Sequence, residues 1–323
     1  GQHLTPVVAS VDNPAPEFEY SSLQDPHKLY EAMSNLNDLG VVIIKGCPRE
    51  LTPKGSSNLL ASSTPTSLLD IMAKFAEVPA YIPLYGYGSD YLLGAEKNET
   101  QKACPQCFCN IPKPIEMHQD FAYFNDVPGL FYNFCMRVDK GIIGGENTCM
   151  DAYHVAERLR LEDPESFRAL TEITVTFAKT ALDSERPVKS SVDRPVIRVD
   201  NDGEIVDVIW SLMYLRTQRL DPETLERFAK AREAWKAAIQ RAAEDGFEVR
   251  TPMGPGDCTI LNNKRMMHAR EPFAQVDGVR QFYQTYGQQG LFLNRLKVME
   301  EHCKGVDVFH VHRAGAALSM TPV

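Results

Sequence analysis

Residues 116–124 read Glu-Met-His-Gln-Asp-Phe-Ala-Tyr-Phe, which puts His118 and Asp120 one residue apart among aromatic and apolar side chains. Alternate residues of an extended strand point to one face. The spacing therefore predicts an imidazole and a carboxylate aimed at the same place. Taken alone, such a pair has a plain alternative: an aspartate that orients a packed histidine. A third candidate, His268, lies far downstream in Leu-Asn-Asn-Lys-Arg-Met-Met-His-Ala-Arg-Glu-Pro-Phe, just past the strand-like run 256–263. Two imidazoles and one carboxylate on one face of a metal leave positions open, which suits non-haem Fe(II) binding an organic chelator and O2 together. Catalytic zinc, with three protein ligands and one water, fits the same residue types.

Arg280 adds a fourth element. It begins the strand-like run Arg-Gln-Phe-Tyr-Gln-Thr-Tyr-Gly over 280–287. An arginine on a strand near a metal can hold a carboxylate through a bidentate pair. 2-Oxoglutarate, which chelates iron through its keto-acid end, leaves its other carboxylate in need of such a partner. The plain alternative is a surface pair with an acid such as Asp277, which contributes little.

The elements that must position these residues can be read from periodicity. Leu29, Met33 and Leu36 fall at helical spacing in a segment ended by Gly40, and residues 41–46 read as a buried strand. Residues 67–78 form a short amphipathic helix and 129–138 a strand. Residues 151–170 hold helical turns interrupted by Asp163-Pro164, a cap followed by proline at the first helical position. Residues 196–210 are a hairpin turned by Asn-Asp-Gly. The clearest helix covers 221–246: Asp221 caps it, Pro222 opens it, and Leu225, Phe228, Trp235, Ile239 and Ala242 line one face before Gly246.

Residues 1–27 read as an arm ahead of a single domain over 28–323. Residues 50–65 read as a loop, and 80–117 as a long irregular stretch of the kind that forms lids or binding loops. Many strands, few helices and one long helix between late strands predict a mainly β fold with helical decoration, a barrel or sandwich rather than alternating βαβ units.

Composition narrows the function classes. A net charge of −9 with no Lys/Arg cluster argues against a nucleic-acid partner. The longest apolar runs, such as Val41–Ile44, are far too short for a membrane helix, so no membrane partner is expected. The first ten residues lack a charged segment followed by an apolar one, and a cytoplasmic protein is the expectation. Eight cysteines in a chain of this length do not make a disulfide framework. Cys104, Cys107 and Cys109 read as a thiol-rich loop, with a zinc clip as the alternative. A zinc hydrolase on the same triad would need a general base, and no His-Glu-x-x-His motif supplies one. A catalytically silent jelly-roll binding protein is a third class, and the sequence is compatible with a homo-oligomer.

The motifs together resemble the TauD/TfdA superfamily of Fe(II)/2-oxoglutarate-dependent dioxygenases, and within it the γ-butyrobetaine hydroxylase branch. His118-Gln-Asp120-Phe-Ala-Tyr123, followed by Pro128, matches the His-Thr-Asp-x-x-Tyr pattern of that family. Residues 144–159 (GGENTCMDAYHVAERL) match its Gly-Gly…Val-Ala-Glu segment, and residues 256–273 (GDCTILNNKRMMHAREPF) its Gly-Asp…His-Gly-Arg segment. The resemblance runs from about residue 28 to about residue 303.

That resemblance implies a double-stranded β-helix, a distorted jelly roll, with 221–246 as an inserted helix. It implies that His118, Asp120 and His268 bind iron, that Arg280 grips the far carboxylate of 2-oxoglutarate, and that Asn147 or Thr148 helps hold that cosubstrate. It implies Fe(II), 2-oxoglutarate and O2 as the reacting set. The substrate would be a small polar molecule such as an amino acid or betaine-like acid, undergoing hydroxylation, desaturation or ring closure.

Two departures stand out: Gln119 replaces the threonine between the first two ligands, and Gly-Gln-Gln-Gly over 287–290 replaces an acidic, Trp-containing segment. Tyr85, Tyr87, Phe121, Tyr123 and Tyr286 are the nearest counterparts of the aromatic cage of that branch, and read as core and pocket wall ahead of a cation site. Arg216 is a candidate partner for a substrate carboxylate, with a structural salt bridge as the equal alternative.

Overall fold

The computed structural model describes residues 8–52, 64–76, 113–182, 188–275, 277–305, 311–313 and 316–318. Tyr85, Tyr87 and the cysteines of 104–109 lie outside the described residues, as does most of the stretch 80–117.

Two sheets frame the molecule. The first joins β1 (Glu17–Glu19), β2 (Val41–Lys45), β4 (Leu130–Val138), β13 (Cys258–Asn262) and β16 (Arg280–Gly287) in the order β1-β2-β13-β4-β16. The second joins β3 (Ile115–His118), β6 (Asn147–Asp151), β12 (Val249–Thr251) and β14 (Met266–Arg270) in the order β12-β6-β14-β3. Smaller ladders pair β5 (Ile142–Gly144) with β15 (Phe273–Gln275), and β7 (Val175–Ala181) with β8 (Val188–Arg194) and β11 (Leu215–Arg216). β9 (Ile197–Val199) and β10 (Ile205–Val208) form the expected hairpin, and β17 (Val311–Arg313) pairs with β18 (Ala316–Leu318).

The inner faces of the two large sheets meet in one apolar cluster, with Val41, Ile43, Phe131 and Leu261 from the first sheet and Cys149, Val249 and Met266 from the second. The alternate residues point outward: Val42, Ile44, Tyr132, Phe134 and Ile260 from the first sheet, Met150 and Met267 from the second. Both faces of each sheet are therefore apolar, which is why β2 reads as a continuous hydrophobic run.

Helices cover these outer faces. α1 (Pro26–Leu39), α2 (Thr66–Ala76) and α6 (Gln289–Lys304) lie over the first sheet; α3 (Ala152–Glu162), α4 (Pro164–Glu172) and α5 (Pro222–Glu244) pack in the cluster beyond the second. Helices take a share of the described residues comparable to that of the strands, so the fold is mixed where the sequence reading was mainly β. Two sheets that are apolar on their outer sides need that much helical cover.

Local side-chain chemistry sets the helix ends. Asp25, Asp163 and Asp221 cap α1, α4 and α5 by accepting backbone N–H bonds, each followed by proline. Gly40 ends α1 at φ +79°, and a β-carbon there would come within 2.8 Å of Met266 on the strand that carries His268. Residues 8–24, read as part of an arm, are packed: Ala9 and Ala15 are buried in the inter-sheet cluster, and β1 adds to the edge of the first sheet, parallel to β2.

A buried ion pair locks the β13–β14 turn to β6. Arg265 donates through Nε (2.9 Å) and Nη2 (2.6 Å) to Oδ2 of Asp151, and its Nη1 reaches the carbonyls of Asn37 and Asp38 at the end of α1. Both side chains are almost wholly buried.

Candidate metal centre

His118 and His268 face each other across a strand pair. β14 runs antiparallel to β3 with His268 opposite His118, and residues directly opposite share a face. Their ring centroids are 4.4 Å apart. Asp120 reaches both: Oδ1 is 3.4 Å from Nε2 of His118, and Oδ2 is 3.4 Å from Nε2 of His268. One ligand atom from each of the three lies within 4.8 Å of the others.

The convergence is achieved differently from the alternating strand expected. β3 ends at His118, and Asp120 belongs to the turn that follows. The ladder stops because the next backbone groups bond elsewhere. Gln119 N–H donates to the Trp210 carbonyl (2.8 Å), and Asp120 N–H donates to Oδ1 of Asn263 (3.0 Å). Phe121 then takes φ +60°, a left-handed conformation costly for a bulky residue. Gln119, the departure from the family pattern, is fully buried; its side chain donates to the Val208 carbonyl and accepts from Trp210 N–H. It ties the ligand-bearing turn to the end of the 196–210 hairpin.

The donor set suits a cation. Nδ1–H of His118 donates to the Glu116 carbonyl at 2.8 Å, which directs the Nε2 lone pair toward Asp120 and His268. Nδ1 of His268 is buried without a hydrogen-bond partner among the described residues. Burial alone would push the His118 imidazole down, but the Asp120 carboxylate and the Glu116 carbonyl raise it. Burial and the adjacent His118 push His268 down, against the pull of Asp120. Burial alone would raise Asp120, yet His268 and His118 hold it well below the ordinary carboxylate range. A carboxylate charged at neutral pH and two imidazoles in one socket form a two-nitrogen, one-oxygen donor set for a divalent metal.

The inner face continues from the triad as a polar strip. Arg280, Phe282, Gln284 and Tyr286 alternate along β16, opposite Val138, Cys135, Asn133 and Phe131 of β4. Arg280 is buried, with its guanidinium 4.1 Å from the Phe282 ring centroid and Nη2 donating to the Gly145 carbonyl at 3.2 Å. Among the described residues no carboxylate lies within ion-pair reach of it. Burial, then the charge of Arg270, push its pKa down to about 10. Gly145 sits at φ +80°, and a β-carbon there would lie 3.4 Å from Nε of Arg280.

Of the two cosubstrate candidates on β6, the register favours Asn147. It pairs with Arg270 and Cys149 with His268, so Asn147 shares the inner face, while Thr148 pairs with Ala269 and faces the helical side. Asn147 Nδ2 and Asn133 Nδ2 each approach Met253 Sδ at 3.5 Å.

The aromatic candidates divide. Phe131 stacks on His268 (4.9 Å) and on Tyr286 (5.2 Å), and Phe121 meets Tyr286 edge-on at 4.7 Å. Tyr123 is buried and packs edge-on against Tyr214 at 4.6 Å, with Lys179 Nζ 3.4 Å from its hydroxyl. Arg216 is exposed and turns its guanidinium to the carbonyls of Met213 and Leu215. Sequence reasoning missed Asn263, Phe131, Asn133 and Gln284. A polar residue in the apolar run 130–136 signals Asn133, but Gln284 stands in a strand of mixed polarity, and no local pattern marks which face either occupies.

Two histidines and one carboxylate meet between the two sheets, with a buried arginine on the same inner face, and the family comparison agrees with that arrangement. The profile described as "Taurine catabolism dioxygenase TauD, TfdA family" matches residues 2–286, and the chain belongs to that family. Trimethyllysine dioxygenase of Meyerozyma guilliermondii is 30% identical over 230 residues, covering 70% of this chain and 53% of that protein. γ-Butyrobetaine dioxygenase of Pseudomonas sp. is 23% identical over 286 residues, covering 88% of this chain and 66% of that protein. The chain thus spans between half and two thirds of these relatives. Among solved structures, a taurine dioxygenase from Burkholderia xenovorans aligns with a TM-score of 0.54 at 16% identity, covering 87% of this chain and 89% of that one. An asparagine oxygenase aligns with a TM-score of 0.55 at 17% identity, covering 83% and 82%. These two likenesses concern the fold. Among the described residues no helix is long and apolar enough to cross a membrane.

Proposed function

We propose that this chain is a non-haem Fe(II)/2-oxoglutarate-dependent oxygenase that oxidises a C–H bond of a small polar substrate, an amino acid or betaine-like acid. His118, Asp120 and His268 would hold the iron. Arg280 would hold the distal carboxylate of 2-oxoglutarate, with Asn147 beside it. The reading takes residues 28–323 as one domain built on a double-stranded β-helix, with α5 as an insertion.

The observation that carries it is the meeting of His118, Asp120 and His268 from two parts of the chain at one point. Iron with 2-oxoglutarate and O2 supplies an oxidant strong enough for an unactivated C–H bond, with succinate and CO2 as coproducts. The contribution of the chain is geometric and electrostatic. Glu116 fixes the His118 tautomer, and Asn263 fixes the backbone of Asp120. Phe121, Phe131 and Tyr286 pack together beside the triad, with Phe131 stacked on His268. Among the described residues the buried Arg280 guanidinium has no anionic partner, an arrangement that is costly, and a bound dicarboxylate would relieve that cost. The trimethyllysine and γ-butyrobetaine dioxygenases among the relatives support the substrate class.

The test is succinate release by the purified chain with Fe(II), 2-oxoglutarate and air, screened across amino acids and betaine-like acids. Release stimulated by one of them is expected. Substrate turnover without O2 would instead indicate hydrolysis and end the oxygenase reading.

A further inference from the structure

Tyr286 stands on β16 in the alternation that carries Arg280, yet its hydroxyl points at the triad. It donates to Oδ2 of Asp120 at 2.7 Å, a short distance typical of a hydroxyl on a charged carboxylate. The ring has little freedom. Phe131 stacks on one side at 5.2 Å, and Phe121 abuts it perpendicularly at 4.7 Å. The same Phe131 stacks on His268, so one aromatic backs both the second histidine and the tyrosine.

Asp120 needs such a partner. Its backbone is fixed on both sides by the Asn263 side chain. What remains free is rotation of the carboxylate, each of whose oxygens lies 3.4 Å from a different imidazole. A carboxylate in that position can offer a cation one oxygen or both.

We propose that Tyr286 is a positioning residue that decides this choice. Its hydroxyl engages Oδ2, draws charge from that oxygen and leaves Oδ1 as the one presented to the metal. Asp120 would then take one coordination position, which together with the two histidines would leave positions for cosubstrate and O2. This rests on the metal-site reading above but assigns Tyr286 a role through Asp120 instead of a place in the substrate wall.

Anaerobic titration of Co(II) into the full chain tests it, with Asp120→Ala and Tyr286→Phe beside the parent. The phenylalanine keeps the ring and its stacking, so circular dichroism and the thermal midpoint of the metal-free variant should match the parent. The parent should bind one Co(II) and Asp120→Ala should not. Tyr286→Phe should bind roughly 10- to 100-fold more weakly, the usual effect of losing a partner that orients a ligand. Its ligand-field bands at saturation should also differ from those of the parent. Identical affinity and bands in Tyr286→Phe would overturn the positioning role while leaving the metal site standing. Failure of the parent to bind Co(II), or full binding by Asp120→Ala, would overturn the metal site and the positioning role with it.

Discussion

Asn263 holds both backbone polar groups of Asp120: its Oδ1 accepts the Asp120 N–H at 3.0 Å, and its Nδ2 donates to the Asp120 carbonyl at 3.1 Å and to the Pro128 carbonyl at 3.0 Å. Asn263 is fully buried and sits at the turn that leads into β14 and His268. One amide thus ties the early ligand pair to the late one. Asn263→Ala strands buried backbone groups, at about 1–3 kcal/mol by the usual cost of such losses. Chemical denaturation should show that loss, and Co(II) affinity should fall with it.

Asp120→Ala removes the only carboxylate of the triad and the charge that both imidazoles face. Iron binding and succinate formation should be lost, whereas the fold should remain, because the Asn263 hydrogen bonds go to the Asp120 backbone and survive the loss of its side chain. Metal content of the purified protein and its circular dichroism check the two halves separately.

Arg280→Ala should raise the 2-oxoglutarate concentration needed for half-maximal turnover by tenfold or more, on the order of the loss of a charge-assisted pair. Arg280→Lys should recover only part of this, because an ammonium cannot match the planar fork of the guanidinium. Titration of 2-oxoglutarate against succinate release reads both variants.

The Arg265–Asp151 pair is structural. Asp151→Asn leaves the buried guanidinium without its countercharge and should destabilise the protein by about 3–5 kcal/mol. Replacing both partners with apolar residues should cost less than the single change, and urea unfolding midpoints would show the difference.

The α4 cap carries a pH dependence of defined sign. The Ser166 hydroxyl and backbone N–H hold the Asp163 carboxyl below its ordinary value. A carboxyl depressed on folding contributes stability that is complete above its unfolded pKa and is lost as pH falls through the folded one. Wild-type stability should therefore fall more than that of Asp163→Ala below about pH 4, with the two converging once the carboxylate is protonated in both states.

Helix ends were legible in the sequence because caps, prolines and stop glycines act within one turn of chain: Asp163-Pro164, Asp221-Pro222 and Gly40 each mark an element the structure contains, whereas the Asp25-Pro26 start of α1 lay inside the stretch read as an arm. The strands at 41–45, 130–138 and 258–262 were legible from their apolar runs, and 280–287 from its aromatic and β-favouring residues. His118, Asp120 and His268 were legible as residue types at suggestive spacing, and the family pattern sharpened them. What no local signal contained was pairing. The opposition of His268 to His118, the inner-face position that separates Asn147 from Thr148, the turn that swings Asp120 back, and the hydrogen bond from Tyr286 all depend on which strands lie side by side and in which register. Register is set by burying two sheet faces at once, a long-range condition that only the folded chain satisfies.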